Sequence, residues 1–263
     1  MALALTLPFV EAAESGCQAS SPYGLLAGYS PTTNISDFAL IDLDVRRLGT
    51  TLSSEDSSLA LSIYETGGNY SLQSLSTRSK ALMYDCTACP LKHYQMYFDY
   101  YEDYDYADKW VRAAILQTKA AFTSGQGGAD FNVSSSSSAR SEAASKGATF
   151  LTTWMWSIAM FEEAVNHCDA ADSTVALGFW DKGVAYYTGS LEGTDGNSKT
   201  GTYGELTYAY AERMCKEFKT CGVVGGSISG GSRVNSEIGT LFFDGQRFLK
   251  ANQCSPLRAL TCE

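Results

Sequence analysis

Phe150-Leu-Thr-Thr-Trp-Met-Trp-Ser-Ile-Ala-Met-Phe161 is the stretch on which the fold turns. Its apolar residues Phe150, Leu151, Trp154, Ile158, Met160 and Phe161 recur at the three-to-four spacing of a helix face. Strand alternation does not fit them. The pattern predicts a long helix over 139–167, preceded by a Gly- and Ser-rich loop over 124–138.

Moving outward, the same periodicity returns. Phe38, Ile41, Leu43 and Val45 sit among acids over 37–48, and Ser53-Ser-Glu-Asp56 supplies capping residues before the apolar run Leu59 to Ile63. Gly67-Gly-Asn69 ends that helix. Pro90 opens another, running from Leu91 through a tyrosine-rich stretch to Ala114 and beyond. Further helices are expected over 175–187, 205–218 and 236–251, separated by polar loops over 189–204 and 222–232. Clean period-two strands are absent. The expected fold is all-α: a bundle of about seven or eight helices with long Gly/Ser loops. Residues 1–33 read as an N-terminal extension and 34–263 as a single helical domain.

The 263 residues include 44% hydrophobic side chains, enough for a sizeable core. Lys and Arg total 19 against 29 Asp and Glu, a formal charge of -10. Such a surface repels phosphate backbones and anionic lipid, which argues against nucleic acid as a partner and favours cations. No apolar run approaches the ~20 residues of a membrane span.

Eight cysteines, Cys17, Cys86, Cys89, Cys168, Cys215, Cys221, Cys254 and Cys262, allow complete pairing in an oxidising compartment. Cys86-Thr-Ala-Cys89 has a zinc-like or redox-like spacing, but no second CxxC or His pair completes four ligands, so disulfides are expected. Cys215 with Cys221 and Cys254 with Cys262 are local candidates, and Cys86 with Cys89 is a strained one. Sequons at Asn34, Asn69 and Asn132 fit the same compartment as glycosylation candidates. The start of the chain lacks a basic n-region and reads as a trimmed signal remnant at best.

Enzyme signatures are missing. The only histidines, His93 and His167, have no GxSxG-like partner, and Gly225-Gly-Ser-Ile-Ser-Gly-Gly231 lacks the Lys and setting of a phosphate loop. Glu162, Glu163 and His167 look like di-metal ligands but lack a second E-x-x-H and read as a surface turn.

His93 to Asp108 is more telling, with six tyrosines and four Asp residues beside His93 and Glu102. On a helix His93, Tyr97, Tyr100 and Tyr104 share a face. Phenolate and carboxylate oxygens suit a hard cation such as ferric iron, although, taken alone, the stretch is better explained as a half-buried aromatic stripe with hydroxyls reaching water. Trp180-Asp-Lys-Gly-Val-Ala-Tyr-Tyr-Thr-Gly-Ser-Leu-Glu-Gly193 puts Asp181 and Tyr187 on one helix, with Gly183 and Gly189 admitting a neighbouring backbone. In Tyr208-Ala-Tyr-Ala-Glu-Arg213, Tyr208 and Glu212 lie one turn apart, and Arg213 pairs either with an anion or with a carboxylate.

These segments, together with Asp105-Tyr-Ala-Asp-Lys-Trp-Val111, Tyr208 to Cys221, Arg233-Val-Asn-Ser-Glu-Ile-Gly-Thr-Leu-Phe242, Ile41-Asp-Leu-Asp44 and Ala60 to Asn69, resemble the iron-assimilating, low-iron-inducible periplasmic proteins of algae, whose members in marine phytoplankton are called phytotransferrins. The resemblance runs from about Ile35 to Cys254. It implies a secreted or cell-surface protein that binds ferric iron, Fe(III), and assists its uptake, with carbonate as a co-ligand. Some relatives are induced by high carbon dioxide instead. Lys182 stands where the resemblance leads one to expect an acid. The chain ends at Glu263 without the membrane-attaching tail of some members, which leaves either a soluble member or a missing tail.

On this reading the metal ligands are Tyr97, Asp181, Tyr187 and Glu212 from three helices, with His93 as a fifth candidate and Arg213 as the anion-binding residue. The protein is expected to be no enzyme. The alternative is an extracellular structural or interaction protein on the same scaffold, with no metal and with a cell-surface protein partner or self-assembly. An enzyme of inorganic carbon chemistry is disfavoured, since two histidines cannot make a three-His zinc site.

Overall fold

The computed structural model describes residues 22–67, 70–77, 92–132, 136–196, 204–222 and 231–260. Within them the chain is all-α apart from one two-residue hairpin. The helices are α1 (Ser36–Ala39), α2 (Ile41–Ser53), α3 (Ser57–Thr66), α4 (Lys92–Tyr101), α5 (Tyr106–Leu116), α6 (Ser137–Gly147), α7 (Trp154–Asp169), α8 (Ser173–Thr188), α9 (Thr207–Glu217), α10 (Arg233–Lys250) and α11 (Cys254–Leu260). None is long and apolar enough to cross a membrane.

Capping explains several starts. Side-chain oxygens of Asp56, Ser136, Asp172 and Ser232 each accept a backbone N–H of the first turn of α3, α6, α8 and α10. The centre is the antiparallel pair α7–α8, which Gly183 draws close: a Cβ there would sit 2.6 Å from the Phe161 ring. Ser157 Oγ donates to the Gly183 carbonyl across the same seam (2.8 Å).

Two cores flank this pair. One gathers Leu48, Leu52, Ile63, Tyr106, Val111, Ile115 and Trp156 from α2, α3, α5 and α7. The other gathers Val165, Trp180, Val184, Tyr187, Phe242, Leu249 and Leu257 from α7, α8, α10 and α11. The second core is the one that carries the candidate site.

The structure departs from the sequence reading in several places. The helix expected over 139–167 is interrupted by a π-helical turn, Ala148–Thr153, where Thr152 and Thr153 hydroxyls donate back to the carbonyls of Ala148 and Thr149. The single helix expected from Leu91 past Ala114 breaks after Tyr101, because Glu102 adopts positive φ (51°) and Asp103 accepts the Asp105 N–H. The break folds α5 back, so that Tyr106 stacks on Tyr97 and Tyr101. Lys119–Ala120 and Ala129–Asp130 pair antiparallel where no strand was expected.

Cys254 pairs with Cys168, not with Cys262, which joins α11 to α7 across 86 residues; Cys215–Cys221 forms as expected. Proximity in sequence makes Cys262 a candidate partner, but the turn after α10 carries Cys254 back onto the end of α7. Cys17, Cys86, Cys89, Cys262, Asn69 and Pro90 lie outside the described residues, whereas Asn34 and Asn132 are exposed. Glu162, Glu163 and His167 belong to α7 and make no surface turn: Glu162 is buried and His167 stacks on Phe179. The segment read as an extension up to residue 33 ends packed against α8, as the site shows.

Candidate functional site

Helices α8, α9 and α10 meet beside the Leu26–Tyr29 bridge and line an open cavity of about 590 Å³. Its wall includes Tyr29, Tyr208, Glu212, Arg233, Asn235 and Phe242. Helical spacing brings Tyr208 and Glu212 to one face of α9, and the α10 N-cap brings Asn235 opposite them.

Asn235 is the joint. Tyr187 donates its phenol proton to Asn235 Oδ1 (2.8 Å), while Asn235 Nδ2 donates to Glu212 Oε1 (2.8 Å) and to the Tyr208 carbonyl (2.9 Å). Glu212 Oε1 also accepts the Ser232 N–H (2.9 Å). Both of these bonds to Glu212 fall on Oε1 and neither uses Oε2. The carboxylate thus sits at the N-terminus of the 18-residue α10, where the helix dipole favours negative charge. Gly231 keeps this approach close: a Cβ there would come within 3.2 Å of both Glu212 oxygens. The Cys215–Cys221 disulfide and the Cys221–Ser232 bridge hold the two sides of this contact together.

Both phenols are shifted upward. Burial first, then Tyr208 and Glu212, push Tyr187 well above the ordinary phenol range, and burial followed by Glu212, Glu192 and Asp195 pushes Tyr208 up to about 12. At neutral pH these phenols keep their protons, so a cation taking them as phenolates must displace those protons.

The expected ligands fare differently. Tyr187 and Glu212 come together, bridged by Asn235. Asp181 is fully buried and spent on structure: Oδ1 accepts the Tyr29 phenol (2.5 Å), and Oδ2 accepts the backbone N–H groups and hydroxyls of Thr32 and Thr33 (2.7–3.0 Å). Those five donors tie the N-terminal segment to α8 and leave Asp181 outside the cavity wall. Tyr97 accepts a hydrogen bond from Trp154 Nε1 (3.1 Å) and stacks on Tyr106, away from the wall. The backbone of His93 lies in α4, and its side chain falls outside the described residues. Arg213 lies over the Tyr210 ring, donates to the Gly204 carbonyl and does not line the cavity; Arg233 does. Lys182, where an acid was expected, points onto the rings of Phe38 and Phe179. Among the described residues no three His, Cys, Asp or Glu side chains cluster as a metal site.

Comparison with known proteins decides the family. A family model described as low iron-inducible periplasmic protein matches residues 5–225. The chain belongs to this family. No curated protein and no solved structure matches it. The low iron-inducible periplasmic match includes Tyr187, Tyr208 and Glu212 and stops before Asn235, so the joint of the site lies just beyond it. A periplasmic location agrees with the disulfides of the fold.

Sequence reasoning missed Asn235, Tyr29 and Arg233. Asn235 stood in a quoted motif, but an uncharged amide carries no ligand signal of its own. Tyr29 lay in a stretch read as loop. The one-turn spacing of Tyr208 and Glu212 was the single readable clue.

Proposed function

We propose that this low iron-inducible periplasmic protein binds ferric iron at the cavity wall made by Tyr208, Glu212 and Asn235, with Tyr187 behind them. The observation that carries the reading is the Tyr187–Asn235–Glu212 chain, of which Asn235 and Glu212 line a cavity of about 590 Å³, in a chain of a low-iron-induced family. Phenol, carboxylate and amide oxygens are hard donors that suit a hard cation. The same site without iron has its phenols protonated, so capture and proton release are linked. A carbonate co-ligand would sit against Arg233, which takes the anion role first assigned to Arg213. The role is binding for uptake rather than catalysis.

The test is a ferric titration of the non-reduced protein, with and without bicarbonate, followed in the visible range. A saturable phenolate-to-iron band is expected, lost in Tyr208→Phe and retained in Tyr97→Phe. A band that disappears in Tyr97→Phe and survives in Tyr208→Phe moves the site to α4 and ends this assignment.

A second reading, docking of a protein partner, is favoured by the exposed apolar residues Met214, Phe218 and Val234, of which Phe218 is 71% exposed. It predicts a defined complex or oligomer in light scattering that Phe218→Ser abolishes, and no retained iron.

A further inference from the structure

Aromatic side chains run unbroken from the cavity wall to the surface. Tyr208 lines the cavity, and its ring centroid is 6.4 Å from that of Tyr187. Tyr187 lies 6.3 Å from Trp154, whose Nε1–H donates to the Tyr97 hydroxyl at 3.1 Å. Tyr97 stacks on Tyr106 (5.4 Å), Tyr106 on Tyr101 (4.6 Å), and Tyr101 meets Tyr100 edge-on (4.8 Å). Tyr100 is 47% exposed. Every member is Tyr or Trp, the two aromatic side chains that give up a single electron most readily. Phe122 and Phe242 pack beside the path, yet no Phe interrupts it.

We propose that this row carries a one-electron oxidising equivalent from the cavity wall to the solvent, so that damage begun at the wall ends on a replaceable surface radical. The source of the oxidant rests on the iron reading above: a hydroxyl-radical-class oxidant, formed when ferrous ion meets hydrogen peroxide, takes one electron and one proton from Tyr208 and leaves as water. Electrons then pass inward one by one. Once its neighbour has returned the electron, Tyr208 takes back a proton from solvent in the cavity, so the net change is water formed at the wall and a neutral phenoxyl radical at Tyr100, whose own proton goes to solvent. A one-electron reductant of the enediol or thiol class restores Tyr100. The Trp154–Tyr97 contact suits the transfer, because once the indolyl radical has lost its Nε1 proton, the Tyr97 O–H can return a proton and an electron across the same 3.1 Å.

The path is tested without iron, so that its failure is separate from failure of the binding reading. Azide radicals generated by pulse radiolysis oxidise tryptophan, and the indolyl-to-phenoxyl conversion is followed by absorbance. A phase independent of protein concentration is expected, slowed at least tenfold in Tyr97→Phe, which keeps the ring and its stacking, and unchanged in Trp110→Phe, which is off the path. Spin-trap mapping should place the final radical on Tyr100 and lose it in Tyr100→Phe. Equal rates in wild type and Tyr97→Phe, or adducts that never reach Tyr100, overturn the proposal.

Discussion

The phenol of Tyr187 and the side-chain amide of Asn235 share a buried hydrogen bond of 2.8 Å between the end of α8 and the start of α10. An amide can accept on one side while donating on the other. Asn235 therefore connects a phenol to the Glu212 carboxylate without adding charge, and it also holds the Tyr208 backbone. A carboxylate at 235 would face Glu212 with like charge, and an apolar residue would leave the Tyr187 phenol unmatched and take one donor from Glu212.

Asn235→Ala should therefore cost about 1–3 kcal/mol, since it strands the buried Tyr187 hydroxyl and removes a donor from Glu212. Asn235→Asp should cost at least as much at neutral pH and recover toward acid pH as the new carboxyl protonates. Urea denaturation at two pH values measures both. Equal stability of the wild type and Asn235→Ala would show that the joint has no energetic role.

Asp181→Ala should destabilise the fold by at least about 3 kcal/mol, because five donors from Tyr29, Thr32 and Thr33 lose their acceptor inside the protein. Asp181→Asn should be milder and should leave the ferric band of the folded protein unchanged. Loss of that band in folded Asp181→Asn would restore Asp181 to the metal site.

The contrast between Asp181 and Glu212 shows what the sequence can convey. Helical periodicity around Trp154 and Trp180 made the central α7–α8 pair readable, and the Asp56 cap could be read from its position. Both carboxylates stood among aromatics on helices and looked alike as ligands. What separates them is tertiary: the segment before Ile35 folds over Asp181 and supplies its donors, while α10 brings Asn235 to Glu212. The helix break at Glu102 was also hidden, since nothing in the Tyr/Asp run marks a left-handed residue. Such contacts lie 149–152 residues apart for Asp181 with Thr32 and Tyr29, beyond any local pattern.

The two disulfides should differ in worth. Cys168–Cys254 closes a separation of 86 residues and Cys215–Cys221 one of 6. Loop-closure entropy gives about 4–5 kcal/mol for the first and about 2 kcal/mol for the second. Thermal melts of Cys168→Ser/Cys254→Ser and Cys215→Ser/Cys221→Ser should rank accordingly, with the short loop affecting ligand binding more, since it holds Glu212 against Ser232. The reverse ranking in the melts would mean that the short loop stabilises through contacts that chain entropy does not count.

Glu192 gives the clearest pH signature. It is buried, accepts the Gly204 N–H (3.0 Å) and faces Asp42, Glu212 and Arg213, with the Tyr208 phenol also within its electrostatic reach. Burial raises its carboxyl to about 7, and burial likewise raises Asp42 to about 6 against the Ser190 and Leu191 hydrogen bonds. The folded state thus holds protons that the unfolded chain has released. Stability from these groups is complete below their unfolded values near ~4 and is lost as pH rises through about 6 for Asp42 and about 7 for Glu192. Glu192→Gln mimics the protonated acid and can still accept from Gly204. It should match the wild type near pH ~4 and exceed it near pH ~8 by up to about 3 kcal/mol. Denaturation midpoints across that range decide the matter: curves that run parallel, with no divergence above neutrality, would mean that Glu192 is ionised throughout.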